Sequence, residues 1–68
     1  MDTPGDTLRH LRVNEGLSRR ALAREVGIDE EVVRGYESNR YVPRPPNAKR
    51  IADRLGVTVT EIWPAELF

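Results

Sequence analysis

The side chains able to do chemistry in this sequence are mostly cationic, and they are unevenly placed. Between positions 34 and 50 stand five bases, Arg34, Arg40, Arg44, Lys49 and Arg50, against a single acid, Glu37, while Met1–Asn14 and Ile51–Phe68 are neutral or slightly acidic. Guanidinium groups suit anionic oxygens and planar acceptor pairs, which they grip with two parallel hydrogen bonds. Ten of the eleven bases are Arg, a choice that a GC-rich genome explains as readily as a need for such contacts. The groups that covalent or metal chemistry needs are scarce. Ser18 has no neighbouring His–acid arrangement to activate it and is better read as a helix cap. His10 is the only His and there is no Cys, so neither a zinc site nor a disulfide can be assembled, and no metal or cofactor is expected.

Composition narrows the classes further. Sixty-eight residues make one domain, with 38% hydrophobic and 32% charged residues but only 6% aromatic, so a thin core must come mainly from Leu, Val, Ile and Ala. A chain of this size buries only about 60% of the surface that its unfolded form exposes, which leaves helix packing or dimerisation to supply the stability. No apolar run reaches the ~18–20 residues of a membrane span and the amino end lacks a basic-then-apolar signal, which predicts a soluble, cytoplasmic protein without a membrane partner. Eleven bases balance eleven acids, so net charge alone gives no support for a nucleic-acid partner; only the local asymmetry does.

Five short helices must position these groups, and no strand-like alternation is long enough to compete. The first begins near Thr3-Pro4 or Asp6, carries Leu8 and Leu11, and stops at Gly16. Ser18 caps a second, Arg19–Val26, with Leu22, Ala23 and Val26 on its buried stripe, and Gly27 ends it. Asp29 caps a third, Glu30 to Glu37 or Ser38, on which Val33, Tyr36 and Glu37 share a face. Asn39–Pro46 reads as a loop, because Asn39 tolerates a left-handed conformation and three prolines remove donors. The fourth helix carries Ala48, Ile51, Ala52 and Leu55 at i, i+3, i+4, i+7 and closes at Gly56. For the fifth, Thr58 and Glu61 form a capping box and Val57 with Ile62 a hydrophobic staple, with Pro64 limiting it to about one turn. Residues 64–68 form a short tail.

Two short helices joined by a turn containing Gly, each with a buried stripe, form a helix-turn-helix over about residues 18–38. At this point the chain resembles the Cro/lambda-repressor-type (XRE-like) DNA-binding family from Leu8 to Trp63. The residues that carry the resemblance are Leu11-Arg12, Gly16-Leu17-Ser18, Leu22-Ala23, Val26-Gly27-Ile28, Val33, Tyr36-Glu37, Pro43, Ile51-Ala52, Leu55-Gly56-Val57 and Glu61-Ile62. It implies an all-α, compact five-helix bundle whose third helix enters the major groove of double-stranded DNA, commonly as a homodimer on a palindromic operator. It also implies a partly buried ion pair between Arg12 and Glu37, and a phosphate contact at Arg19, where family members commonly carry Gln.

The residues themselves point the same way. With Val33 turned to the core, Glu31 and Gly35 lie nearly opposite, flanked by Val32 and Arg34, and all four are expected to face outward. Arg34 suits O6 and N7 of guanine, Glu30 or Glu31 a cytosine amino group, and Val32 a thymine methyl, while Gly35 either allows close approach or is slack. The competing reading for Arg34 and the acids is solvated surface, with the Glu pair complementing the helix dipole. Phosphate contacts are expected from Ser18 and Arg19 at a helix start and from Asn39, Arg40, Tyr41 and Arg44 in the loop, whose alternative is a solvated segment. Trp63 is expected to cover the bundle, and Leu67 and Phe68 either fold back or extend a dimer interface. The function that follows is a small, non-enzymatic, sequence-specific transcriptional regulator, Cro-like or phage-type or serving a mobile element or toxin–antitoxin cassette. Its rival is a protein-interaction module on the same fold, antirepressor- or antitoxin-like, which the zero net charge and Glu30-Glu31 favour.

Overall fold

Five α-helices follow one another in the computed structural model, which describes residues 2–68: α1 (Pro4–Asn14), α2 (Arg19–Val26), α3 (Glu30–Glu37), α4 (Pro45–Leu55) and α5 (Val59–Ile62), ending in a 3-10 turn at Ala65–Leu67. Most of the helices begin where a side chain answers the orphan amides of the first turn. Thr3 caps α1 and forms a full capping box with Asp6, Ser18 Oγ accepts from the Ala21 amide 3.0 Å away, and Asp29 Oδ1 accepts from the Glu31 amide at 2.8 Å. The Thr58–Glu61 box starts α5, with the Glu61 carboxylate accepting from both the amide and the hydroxyl of Thr58.

α4 corrects the expected loop. Pro45 and Pro46 are not part of the connection but the first two residues of the helix, so the loop ends at Arg44. The physical reason is that amides at the first two helical positions have no partner in any helix, so proline loses nothing there, and its fixed φ already suits the helix.

α1 and α2 pack against α3, α2 also against α4, and α5 closes the far side against α1 and α4. Leu8, Leu22, Val33, Ala48 and Ile51 are sealed from solvent, each of the larger ones contributing about 1.5–3 kcal/mol through burial. Trp63 lies over them as a lid, 1% exposed, its ring meeting Tyr36 edge-on with centroids 6.3 Å apart. The Tyr36 hydroxyl in turn accepts from Asn47 Nδ2 at 3.1 Å, which links α3 to α4.

The amino end of α1 touches the carboxyl end of α3 so closely that only glycine fits between them. A Cβ on Gly5 would stand 2.1 Å from the backbone carbonyl oxygen of Glu37. Asn39, in the left-handed region at φ 64°, locks this junction: its Oδ1 accepts from the Gly5 amide and its Nδ2 donates to Thr3 Oγ1, both at 2.8 Å. Both polar atoms of its side chain are engaged here, so Asn39 holds the loop onto α1.

Two outcomes follow. Gly5→Ala should destabilise the fold by about 1–3 kcal/mol, because the obstacle is backbone and cannot swing away, read as a lower midpoint in urea unfolding. Hydrogen bonds from Thr3 and Thr58, their backbone amides first and their hydroxyls second, hold the Asp6 and Glu61 carboxyls below the ordinary carboxylate range. The stabilisation they give is therefore complete above that range and is lost as pH falls through it toward the lowered values, so Asp6→Asn and Glu61→Gln should each flatten the decline of the unfolding midpoint from about pH 5 downward.

Candidate nucleic-acid interface

The orientation of α3 rests on one buried ion pair. Arg12 of α1 grips Glu37 of α3 with two bonds, Nε to Oε2 at 2.6 Å and Nη2 to Oε1 at 3.2 Å, and its third arm donates to the Leu17 carbonyl at 2.7 Å. Only 11% of the Arg12 side chain and 4% of the Glu37 side chain are exposed. Three segments therefore meet on one guanidinium: α1, the turn ahead of α2, and the last residue of α3. With Glu37 and Val33 held inward, the opposite side of α3 faces solvent.

That outward side differs from expectation at two positions. Glu31 and Arg34 are exposed, with a loose pair between them at 3.8 Å, and Glu30 is half-buried. Val32 is also half-buried and leans on the core cluster, presenting only part of its side chain. Gly35 is not outward at all. The ring of Tyr41 lies across it, and a Cβ there would come within 2.1 Å of the ring. The cause is the loop after α3, which doubles back so that the amides of Arg40 and Tyr41 both donate to the Gly35 carbonyl, at 2.9 and 3.2 Å. What this part of the surface offers is therefore Tyr41, not a bare glycine.

Two shallow hollows adjoin along α3 and share Arg34 and Ser38. The first, of about 230 Å³, is lined by Glu31, Val32, Gly35, Arg40 and Tyr41 besides the shared pair. The second, of about 300 Å³, is walled by Arg9, Arg12 and Arg19, with Glu37 at its base. Arg19, at the start of α2, thus shares a hollow with Arg34 of α3, and Arg34 in turn with Arg40 of the loop. Ser18 precedes Arg19 with its hydroxyl oxygen engaged as the cap. Arg44 stands apart from both hollows, exposed at the entrance of α4. Among the described residues, no carboxylate lies within ion-pair distance of Arg19, Arg40 or Arg44.

The acids near this surface are few because most are engaged elsewhere. Arg54 of α4 bridges Glu15 and Glu25, and Lys49 pairs with Asp53 one turn further along its own helix. The Arg54 bridge escaped sequence reasoning because its partners are 29 and 39 residues away, with no local spacing to signal them.

The helix-turn-helix formed by α2 and α3 agrees with the pattern of a known family, described as "Helix-turn-helix domain", which matches residues 5–63. The chain belongs to the helix-turn-helix family of Cro/lambda-repressor (XRE-like) type. Similar solved structures include the restriction-modification controller protein C.AhdI from Aeromonas hydrophila, 32% identical with a TM-score of 0.81 over 88% of this chain and 91% of that one. A hypothetical transcription factor, NHTF from Neisseria, is also 32% identical with a TM-score of 0.81, over 87% of this chain and 66% of that one. A chain of the SinR protein/SinI protein complex shares the fold at 20% identity and TM-score 0.84, over 94% of this chain and 63% of that one. No curated protein sequence matches significantly.

Within this helix-turn-helix domain, removing one partner of the Arg12–Glu37 pair leaves a buried charge uncompensated. Arg12→Met or Glu37→Gln should each cost about 3–5 kcal/mol in urea unfolding. The double variant, Arg12→Met with Glu37→Leu, should lose less than either single change, since neither charge then remains to be solvated.

Proposed function

We propose that the chain is a sequence-specific, double-stranded-DNA-binding transcriptional regulator that lays α3 in the major groove. The observation that carries the reading is the exposed guanidinium of Arg34 on the outward side of α3, midway along a surface that joins Arg19 to Arg40. In that arrangement Arg34 takes O6 and N7 of a guanine, Glu30 and Glu31 accept from cytosine amino groups, and Val32 meets a thymine methyl. Ser18 and Arg19 at the amino end of α2, with Arg40 and Arg44 beyond α3, hold the phosphates and set the register. The likeness to a restriction-modification controller supports a small regulator; within this proposal it is repressor-type and works in the cytoplasm without cofactor or catalysis.

A symmetric operator would be read by two copies, with half-sites about one helical turn apart. Leu67 and Phe68, 43% and 50% exposed beyond the last helix, do not fold back on the core and are the apolar groups offered to such a pairing.

The second reading, a protein-interaction module, draws on the acid pair Glu30-Glu31 at the leading end of α3, which repels phosphates unless it meets cytosine amino groups. A salt-titrated gel shift separates the two. The regulator should retard random duplex at low salt, with log affinity falling against log salt by about 0.9 for each phosphate neutralised. Arg34→Ala should relax preference at one base pair by about 1–3 kcal/mol, and Arg40→Ala should weaken all sequences alike. Absence of any retardation at low salt would select the protein-interaction reading.

A further inference from the structure

Tyr41 occupies an arrangement that cover of the backbone alone does not require. The Gly35 carbonyl accepts from two successive amides, those of Arg40 and Tyr41, so the loop is folded back and held against the last turn of α3. The Tyr41 ring then drops into the notch left by the missing Gly35 side chain, close enough that any Cβ would displace it. The ring is nevertheless 48% exposed, and the Arg40 guanidinium carbon stands 5.9 Å from its centroid. The ring and Val32 both line the hollow of about 230 Å³, together with Glu31 and Arg34. Apolar and charged groups are thus presented together on the same side of α3 as Arg34. On its major-groove edge, duplex DNA displays one apolar group, the C5-methyl of thymine.

We propose that Tyr41, seated in the Gly35 notch, is a specificity-determining residue that packs with Val32 around the C5-methyl of one thymine. The proposal rests on the major-groove reading given above and deepens it: Gly35 positions Tyr41, and Tyr41 touches the base. Loop and recognition helix then read one position jointly, the loop residue supplying the side chain that the helix lacks.

The test begins with selection of bound fragments from a random duplex library by the full chain. Each thymine of the selected site is then replaced in turn by uracil, which removes only the methyl group. At one thymine the unaltered protein should lose about fourfold in affinity, the value of one methyl-sized apolar group. Tyr41→Phe should keep that loss. Tyr41→Ala, and Gly35→Ala through displacement of the ring, should abolish it while the slope against salt stays unchanged. Tyr41 is exposed and outside the core, so Tyr41→Ala remains folded, as its helical circular dichroism should show, and it decides the matter even if Gly35→Ala unfolds. Equal affinity for thymine and uracil throughout the site, or uracil sensitivity that persists in Tyr41→Ala, would overturn the assignment of Tyr41 and leave the regulator reading intact. Failure of the unaltered protein to select any sequence would overturn both.

Discussion

Everything that the surface of α3 can do depends on how α3 is rotated, and the Arg12–Glu37 pair holds that rotation. A buried ion pair is a poor source of net stability, since two charges must be taken from water before they attract each other. Its geometry is demanding, however. The bidentate grip admits one separation and one relative orientation, and the Leu17 carbonyl on the third arm couples both helices to the turn ahead of α2. With charge at this position, slippage of α3 by a fraction of a turn would strand a carboxylate, so Glu31 and Arg34 are kept outward.

A chain with zero net charge keeps a basic surface because partners within the fold take up its acids. Most acids have a partner within the chain: Asp6, Asp29 and Glu61 bond the first turns of helices, Glu37 is buried against Arg12, and Glu15, Glu25 and Asp53 are held at the surface by Arg54 and Lys49. Carboxylates suit helix starts because the unpaired amides and the dipole both favour negative charge there. Guanidinium groups have no comparable use at those positions. Folding therefore takes up acids faster than bases, and leaves Arg19 and Arg40 unopposed beside α3.

Helix existence, order and most boundaries were legible in the residues themselves. Ser18, Asp29 and the Thr58–Glu61 box act within one turn of chain, and the stripe Ala48, Ile51, Ala52 and Leu55 is an intrinsic property of helical spacing. Local pattern misleads where one residue type serves two structures. Three prolines after Asn39 read as loop, yet two of them open α4, because proline suits a first helical turn as well as a connection. Gly35 read as open surface because a helical wheel contains only one helix; the ring that covers it comes from a loop six residues later. Asn39 signals its backbone conformation locally, while the partners of its side chain, Thr3 and Gly5, lie more than thirty residues away.

By itself the sequence determined five helices, their caps, the apolar stripe each one buries, and the helix-turn-helix formed by residues 18–38, all consequences of interactions within a few residues of chain. Tertiary structure decided which side chains share a surface. It brought Arg19 beside Arg34, set the Tyr41 ring on Gly35, closed α1 against α3 at Gly5, and drew Glu15 and Glu25 to Arg54. Such contacts depend on the angles and separations of packed helices, which no local spacing encodes, and they arise only when the whole core closes at once.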